Sequence, residues 1–400
     1  MVTHKWLLSG ACAAIAIAFL AARPHPTPGP VMRDFEAYWA AGAAWNARAD
    51  PYGVAIWNVQ RGVPGVDARR DEILPFVGPP ATLLVWSAFA RLPYATAAAV
   101  WSCVLGTSLL VLVVVVLVGA GGSLSLSSVV GTLALALAFG PLTSGLALGQ
   151  LAVPAFTGAA LVVLAATRSF PGATVAATLA FAQPNAALGL ISQLGRNRVT
   201  LAIALAAFLS YALGAIAAGW KWPLAYAHML GQHAGAERFV AIQITPSSVA
   251  FGLGATASSA RLVATALAIL AIGAGIALAA AVRGRFARFA AFSTLAPFVA
   301  SFFHEHDLIV AYAAAAWCAI RTRGTTRIVA LAGALLVAVD WLGLAQRPTG
   351  IAQSALLAVA AMAAFAALGE RTERWTFAVM AAFAAVFVAA AISAVHHPAP

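Results

Sequence analysis

Runs of apolar residues long enough to cross a bilayer recur from one end of this chain to the other. That recurrence restricts the fold more than any motif does. A transmembrane helix needs about 20 apolar residues, with roughly 17–25 tolerated. The candidate runs are 6–22, 78–91, 97–119, 128–140, 149–166, 172–193, 199–218, 258–282, 288–303, 307–320, 327–345, 350–368 and 375–395. Two of them, 78–91 and 128–140, are short for a full crossing and are expected to be tilted, broken or re-entrant. Of the 400 residues, 62% are hydrophobic and 9% charged, against about 25% charged in a soluble domain, so no solvated surface can be assembled from them. The expected architecture is all-α, one polytopic transmembrane helical bundle over 1–400 with about 11–13 spans. It divides into a first span (6–22), a long first outer loop (23–77) carrying interfacial helices, spans over 78–218, a second outer loop (219–257) and C-terminal spans over 258–395. The first run follows Lys5 and is read as an uncleaved helix rather than a signal peptide, because so many spans follow it.

The formal net charge of +11 invites a nucleic-acid partner, and the placement of the charges argues against one. With the N-terminus inside, the inner connections hold Lys5, Arg91, Arg196, Arg198, Arg283, Arg285, Arg288, Arg321, Arg323, Arg327, Arg371 and Arg374. That is the bias the positive-inside rule describes, so the basic balance reports insertion topology. Acidic groups and histidines gather on the other face: Asp34, Glu36, Asp50, Asp67, Asp71 and Glu72 in the first outer loop, Glu237, Glu305 and Asp307 later, with His25, His228, His233, His304, His306, His396 and His397. Groups able to move protons are thus concentrated on the outer side. The cysteines, Cys12, Cys103 and Cys318, fall in separate apolar runs and make neither a disulfide framework nor a zinc site.

Within the first outer loop, Asp34-Phe-Glu-Ala-Tyr-Trp-Ala-Ala-Gly-Ala-Ala-Trp45 has aromatic residues at helical spacing and is expected to lie as an amphipathic helix in the interface. Asp34 at its start has two readings, an N-terminal cap or a functional carboxylate. Asp50-Pro51-Tyr52-Gly53 reads as a turn, with Pro51 at its second position. Pro141, Gly145, Gly149, Pro154 and Pro184 inside apolar runs are expected to break helices, which membrane proteins tolerate where backbone lines a cavity. Lys221 between Trp220 and Trp222 reads as an interface anchor or a phosphate contact, with Arg238 and Arg261 as further outer cations. His304-Glu-His-Asp307 is the densest polar cluster beside a span. A metal site there requires an extended backbone, because positions i and i+2 of a helix point apart, and no metal cofactor is expected.

Several of these motifs together resemble glycosyltransferase family 87. They are Asp34-Phe35 with Tyr38, Ala40 and Ala41, then Asp50-Pro51-Tyr52-Gly53, Pro79-Pro80 before a run ending Arg91-Leu92-Pro93, Gly149-Gln150, and Phe302-Phe303-His304-Glu305-His306-Asp307-Leu308. The resemblance covers about residues 30–320 in order. It implies the GT-C type of fold and transfer of a sugar, typically mannose, from a polyprenyl-phosphate carrier to a lipid or glycan acceptor, on the outer side of the bacterial inner membrane. It also implies that Asp34 is the catalytic base. Where family members often carry Lys-Pro, this chain has Gln183-Pro184, and Phe303-His304 stands where Pro with an aromatic residue is common.

The chemistry of such a transfer needs few protein groups. Phosphate is already a leaving group if cations hold its charge, and a carboxylate near the interface can take the proton of the acceptor hydroxyl. Inversion then requires Asp34 alone. Glu36, Tyr38, Gln150, Lys221, His304, His306 and Asp307 are the candidate substrate contacts. Gln150, however, falls on the inner side in this topology. The partners expected are the lipid-linked sugar, the acceptor and membrane lipid, with no nucleic acid and no cofactor. The alternative class is a transporter or lipid flippase, which usually shows internal repeats and several mid-span charges. Here no repeat is visible and Asp340 is the clear mid-span charge. Polar residues converging on one outer cavity favour transfer, and a path alternating between faces favours transport.

Overall fold

The computed structural model describes residues 32–64, 69, 73–165, 168–195, 197–240, 243–282, 284–323 and 327. The expected spans 6–22, 350–368 and 375–395, almost all of 327–345, and with them Asp340, His396 and His397, lie outside the described residues.

The described chain is mostly helical, and no strand occurs in it beyond a single bridge between Gln243 and His304. Helix α1 (Arg33–Asn46) is followed by α2 (Ala55–Arg61), α3 (Leu83–Phe89), α4 (Tyr94–Gly119), α5 (Leu126–Ala138) and α6 (Gly140–Leu148). Then come α7 (Ala152–Ala165), α8 (Phe170–Ala180), α9 (Asn197–Ala218), α10 (Trp222–Glu237), α11 (Pro246–Gly252), α12 (Ala257–Ala281), α13 (Arg285–Ser293) and α14 (Tyr312–Arg321). Helix starts follow their sequence signals. Ser169 accepts a hydrogen bond from the Gly172 N–H at 3.1 Å, and Thr245 from the Ser248 N–H at 3.4 Å, each satisfying one of the free amides of a first turn.

Among the described residues, three helices are long and apolar enough to cross a bilayer: Tyr94–Gly119, Arg198–Ala218 and Ala257–Ala277. At 1.5 Å per residue, about 20 residues cover the ~30 Å hydrocarbon thickness, and the latter two have 21 each. Leu201, Phe208 and Ile216 on α9, and Leu262, Ile269 and Ile276 on α12, are exposed. Their spacing of seven or eight residues puts each set on one outward stripe, an apolar face suited to lipid.

Other expected spans take different forms. The run 128–140 does not end at residue 140. It continues as α5 and α6, bent by 73° at Phe139, where Gly140-Pro141 opens the second half and proline withholds the N–H that a continuous helix needs. The run 172–193 is also not one helix. After α8 the backbone is extended at Gln183, and Pro184 starts a separate turn leading to a 3-10 segment, Leu188–Gln193. The run 288–303 divides into α13 and the single turn Ala296–Val299 around Pro297.

Helix α1 also departs from expectation. Its aromatic face meets protein, because Asp34 to Tyr38 and most of the small residues that follow are buried. Small residues let it close on α3, and a Cβ on Gly42 would fall 2.2 Å from the Trp86 carbonyl oxygen. Phe35 stacks on Trp101 at 5.7 Å and Tyr38 on Trp86 at 4.9 Å, with Trp86 and Trp101 edge to face at 5.1 Å. Aromatic pairs of this kind contribute about 0.5–1.5 kcal/mol each beyond their buried area, so the first turns of α1 are held from several sides.

Candidate functional site

Three segments distant in sequence meet at the N-terminal end of α1. The residue before the helix, Met32, is left-handed (φ 61°) and makes no side-chain cap. Asp34 lies inside the first turn, with 7% of its surface exposed. Its carboxylate does not cap the helix: Oδ2 accepts a short hydrogen bond from Nε2 of Gln150, and Oδ1 lies 3.5 Å from Nε of Arg33. The Gln150 carbonyl accepts the Tyr38 hydroxyl at 2.8 Å. One amide therefore ties two residues a helical turn apart on α1. Burial, and next the Asp34 charge, push the Tyr38 hydroxyl pKa upward and keep it a donor.

Gln150 reaches this position because the α5–α6 bend turns the chain, and because Gly149 permits a close approach. Gly149 has φ 79°, and a Cβ there would fall 2.6 Å from the Phe35 Cβ and 2.8 Å from the Met32 Cβ. Its carbonyl accepts the Trp101 indole N–H at 2.8 Å. The expectation that Gln150 sits on the face opposite Asp34 is thus corrected.

The third segment is 302–307. Its backbone is pinned to Gln243 and Ile244, with the Ile244 N–H donating to the Phe303 carbonyl at 2.6 Å and the Phe303 N–H to Oε1 of Gln243 at 2.7 Å. His304 is extended (φ −93°, ψ 171°) and precedes a 3-10 helix, Glu305–Ala311. Asp307, 2% exposed, accepts from Nε2 of Gln183 at 3.1 Å, from the His304 N–H at 3.1 Å and from Nδ2 of Asn185 at 3.3 Å. Ser144 on α6 donates a short bond to Glu305. Nε2 of His304 lies 3.1 Å from Oε2 of Glu237 and 2.9 Å from Nε2 of Gln243, and His233 stands 3.4 Å from Oε1 of Glu237.

The charges here tune one another. Burial disfavours the His304 imidazolium, but the Glu237 hydrogen bond and the Asp307, Glu237 and Asp34 charges outweigh it and raise its pKa. Burial lowers that of His233, with Glu237 opposing and His304 adding to the effect. Burial works to raise the Glu237 pKa, yet His304, His233 and Gln243 together bring it below the usual carboxylate value.

These residues line one cavity of about 170 Å³, well above the ~10–15 Å³ that a single water requires. Its polar wall is formed by Arg33, Asp34, Tyr38, Gln150, Gln183, His233, Glu237, His304, Glu305, His306 and Asp307, and Leu74, Pro75, Val77 and Phe302 form much of its apolar rim. A second, largely apolar groove begins at Pro79 and Pro184, one residue beyond Gly78 and Gln183 of the cavity, and runs between Val85, Leu179, Phe181, Leu213 and Trp222. Tyr226, which also lines the groove, donates to the Val77 carbonyl at 2.9 Å where the two spaces adjoin.

Of the residues singled out in the sequence, Asp34, Tyr38, Gln150, His304, His306 and Asp307 all line the cavity. Glu36 does not line it, nor is it solvated; it is buried in the fold with 1% exposed. Lys221 is also not brought there. It is exposed, with its ammonium 5.0 Å above the Trp220 ring, as an interface anchor would be. Arg238 and Arg261 lie outside the lining as well, and Arg261 covers the Phe239 ring at 5.9 Å. Sequence reasoning passed over Arg33, Gln183, His233, Glu237 and Glu305 as site residues. The His233–Glu237 spacing of four residues, which puts both on one face of α10, was the available signal. Asp50 is a turn residue as expected, its carboxylate accepting the Tyr52 N–H at 2.9 Å.

No protein-family model, curated protein or solved structure matches the chain.

Proposed function

We propose that the protein is a membrane glycosyltransferase of GT-C type, resembling family 87, that moves a hexose such as mannose from a polyprenyl-phosphate carrier to a lipid or glycan acceptor. The reaction takes place at the outer face of a bacterial inner membrane. The observation that carries this reading is the Asp34 carboxylate: buried at the wall of a polar cavity, oriented by Gln150 through one oxygen, and opposed by a cluster of basic groups in the same hollow. Convergence on one cavity is what separates transfer from transport. The adjoining apolar groove suits the isoprenoid part of such a donor.

In the proposed step the acceptor hydroxyl oxygen attacks the anomeric carbon and its proton passes to Asp34. The bond from that carbon to the phosphate oxygen breaks, and polyprenyl phosphate departs with the electron pair. Arg33 and the histidines of the cavity favour the negative charge that develops on the phosphate. One carboxylate on the side opposite the leaving group gives inversion. Retention would require a nucleophile as well, by analogy with the two-carboxylate geometries of hydrolases.

The test is to incubate membranes containing the protein with labelled polyprenyl-phosphate-mannose and follow the label into extractable lipid and glycan. Label transfer that disappears in Asp34→Asn is the expected result. Absence of transfer across a panel of polyprenyl-phosphate hexoses, with correctly inserted protein, would overturn the reading.

A further inference from the structure

We propose that His304, His306 and Asp307 bind a divalent transition-metal ion in the wall of the cavity that also holds Asp34. The site itself is independent of the transferase reading, whereas any part of the ion in phosphate departure rests on it.

The first support is backbone geometry. Two histidines at i and i+2 diverge on an α-helix, but His304 is extended and the helix after it is 3-10, so the rings turn to the same side with centroids 5.5 Å apart. One ligand atom from each of the three residues lies within 4.8 Å of the others. An ion with ligand bonds of about 2.0–2.2 Å holds tetrahedral ligands roughly 3.4 Å apart, so side-chain rotation through about an ångström closes the set around it.

The second support is an unmet valence. His306 is only 9% exposed and faces the cavity, yet neither of its ring nitrogens has a hydrogen-bond partner among the described residues. A buried imidazole normally finds a partner. Asp307 accepts three hydrogen bonds, which leaves one of its roughly four lone-pair sites.

The third is the outer shell. Metal-binding histidines usually give their second ring nitrogen to a carboxylate, which fixes the ring and its tautomer. Nε2 of His304 lies 3.1 Å from Glu237, the ring also accepts the Asp307 N–H as the cap of the 3-10 helix, a bond the ion would replace, and the Gln183 and Asn185 amides orient Asp307. Two imidazoles and one carboxylate suit Zn²⁺, Co²⁺, Mn²⁺ or Fe²⁺ rather than Ca²⁺ or Mg²⁺, which take oxygen ligands. The remaining coordination positions open to the cavity, where an anionic oxygen can complete the shell. On the transferase reading that oxygen belongs to the leaving phosphate, and the ion acts on it as a Lewis acid.

Full-length protein without a polyhistidine tag, purified in detergent and stripped with chelator, is titrated with Co²⁺ and followed by visible absorption. Bound metal is then measured after desalting. One tightly held equivalent is expected in the wild type, lost in His306→Ala, which removes no hydrogen bond and should retain the wild-type melting temperature. Glu237→Gln keeps all three ligands and should weaken affinity by about 10–100-fold. His396 and His397 remain in every variant, so weak binding at that pair is common to all. Binding in the wild type no stronger than in His306→Ala would overturn the proposal. Specific binding without any sugar transfer would uphold the ion site and refute the transferase reading; transfer without specific binding would do the reverse.

Discussion

Gln150 donates its amide N–H to Asp34 and accepts the hydroxyl of Tyr38, so a single side chain more than a hundred positions downstream fixes both the aim and the environment of the carboxylate. In a buried network each removal leaves another group unsatisfied, at about 1–3 kcal/mol per orphaned group. Gln150→Leu strands both partners at once and should lower thermal stability in detergent by more than Tyr38→Phe, which orphans only the Gln150 carbonyl. Equal melting shifts for the two variants would show that the amide does not bridge them.

The proposed base is tested by Asp34→Asn. It preserves shape and the contact with Gln150 after an amide flip, so expression and insertion should persist. Label transfer should fall by about 10²–10⁴-fold, the usual contribution of a general base. Turnover at the wild-type level would remove Asp34 from that role.

Gly149→Ala separates geometry from chemistry. The added methyl would meet Phe35 and Met32 within 2.8 Å, at a backbone φ of 79° that costs an L-residue about 1–2 kcal/mol. Transfer should drop sharply although no polar group has been altered. A fully active Gly149→Ala protein would mean that Gln150 need not reach α1.

Lys221→Ala is expected to leave transfer within about twofold, because the ammonium sits over Trp220 outside the cavity, and surface changes of this sort move stability by only about 0.5 kcal/mol. Arg33→Gln, which alters a cation in the cavity wall, should reduce transfer at least tenfold under the same assay.

Orientation can be checked with reporter fusions in the first outer loop. A fusion near Asn58, exposed between Trp57 and Val59, should report an external location, as the distribution of arginines requires. A cytoplasmic signal would invert the topology and place the cavity on the wrong face for a lipid-linked donor.

Much of this was legible from residue order. The long apolar runs 97–119, 199–218 and 258–282 became α4, α9 and α12 with ends displaced by a few residues, because sustained hydropathy over a bilayer's thickness has few alternative folds. Shorter runs were less readable. In 172–193 and 288–303, Pro184 and Pro297 end helices that the apolar content alone would continue. The aromatic spacing of 34–45 marked a helix but not the protein packing of its aromatic face, since hydrophobic periodicity does not distinguish lipid from protein as the neighbour. The site was half visible. Asp34, His304 and Asp307 stand in dense polar clusters, whereas Gln183 and Glu237 join them through pairing across the fold that no local pattern announces.

The 73° break between α5 and α6 has a consequence for hydration. Where a helix is interrupted inside an apolar layer, its last carbonyls and next amides lose their neighbours along the axis, and solvent or side chains must take over. Thr143 supplies part of that substitution, its hydroxyl reaching the Phe139 and Gly140 carbonyls at 3.2 Å. Any carbonyl left unmatched there draws ordered solvent, and on the proposed transferase reading such solvent gives the proton of an acceptor alcohol a wet exit that an unbroken rod would have sealed.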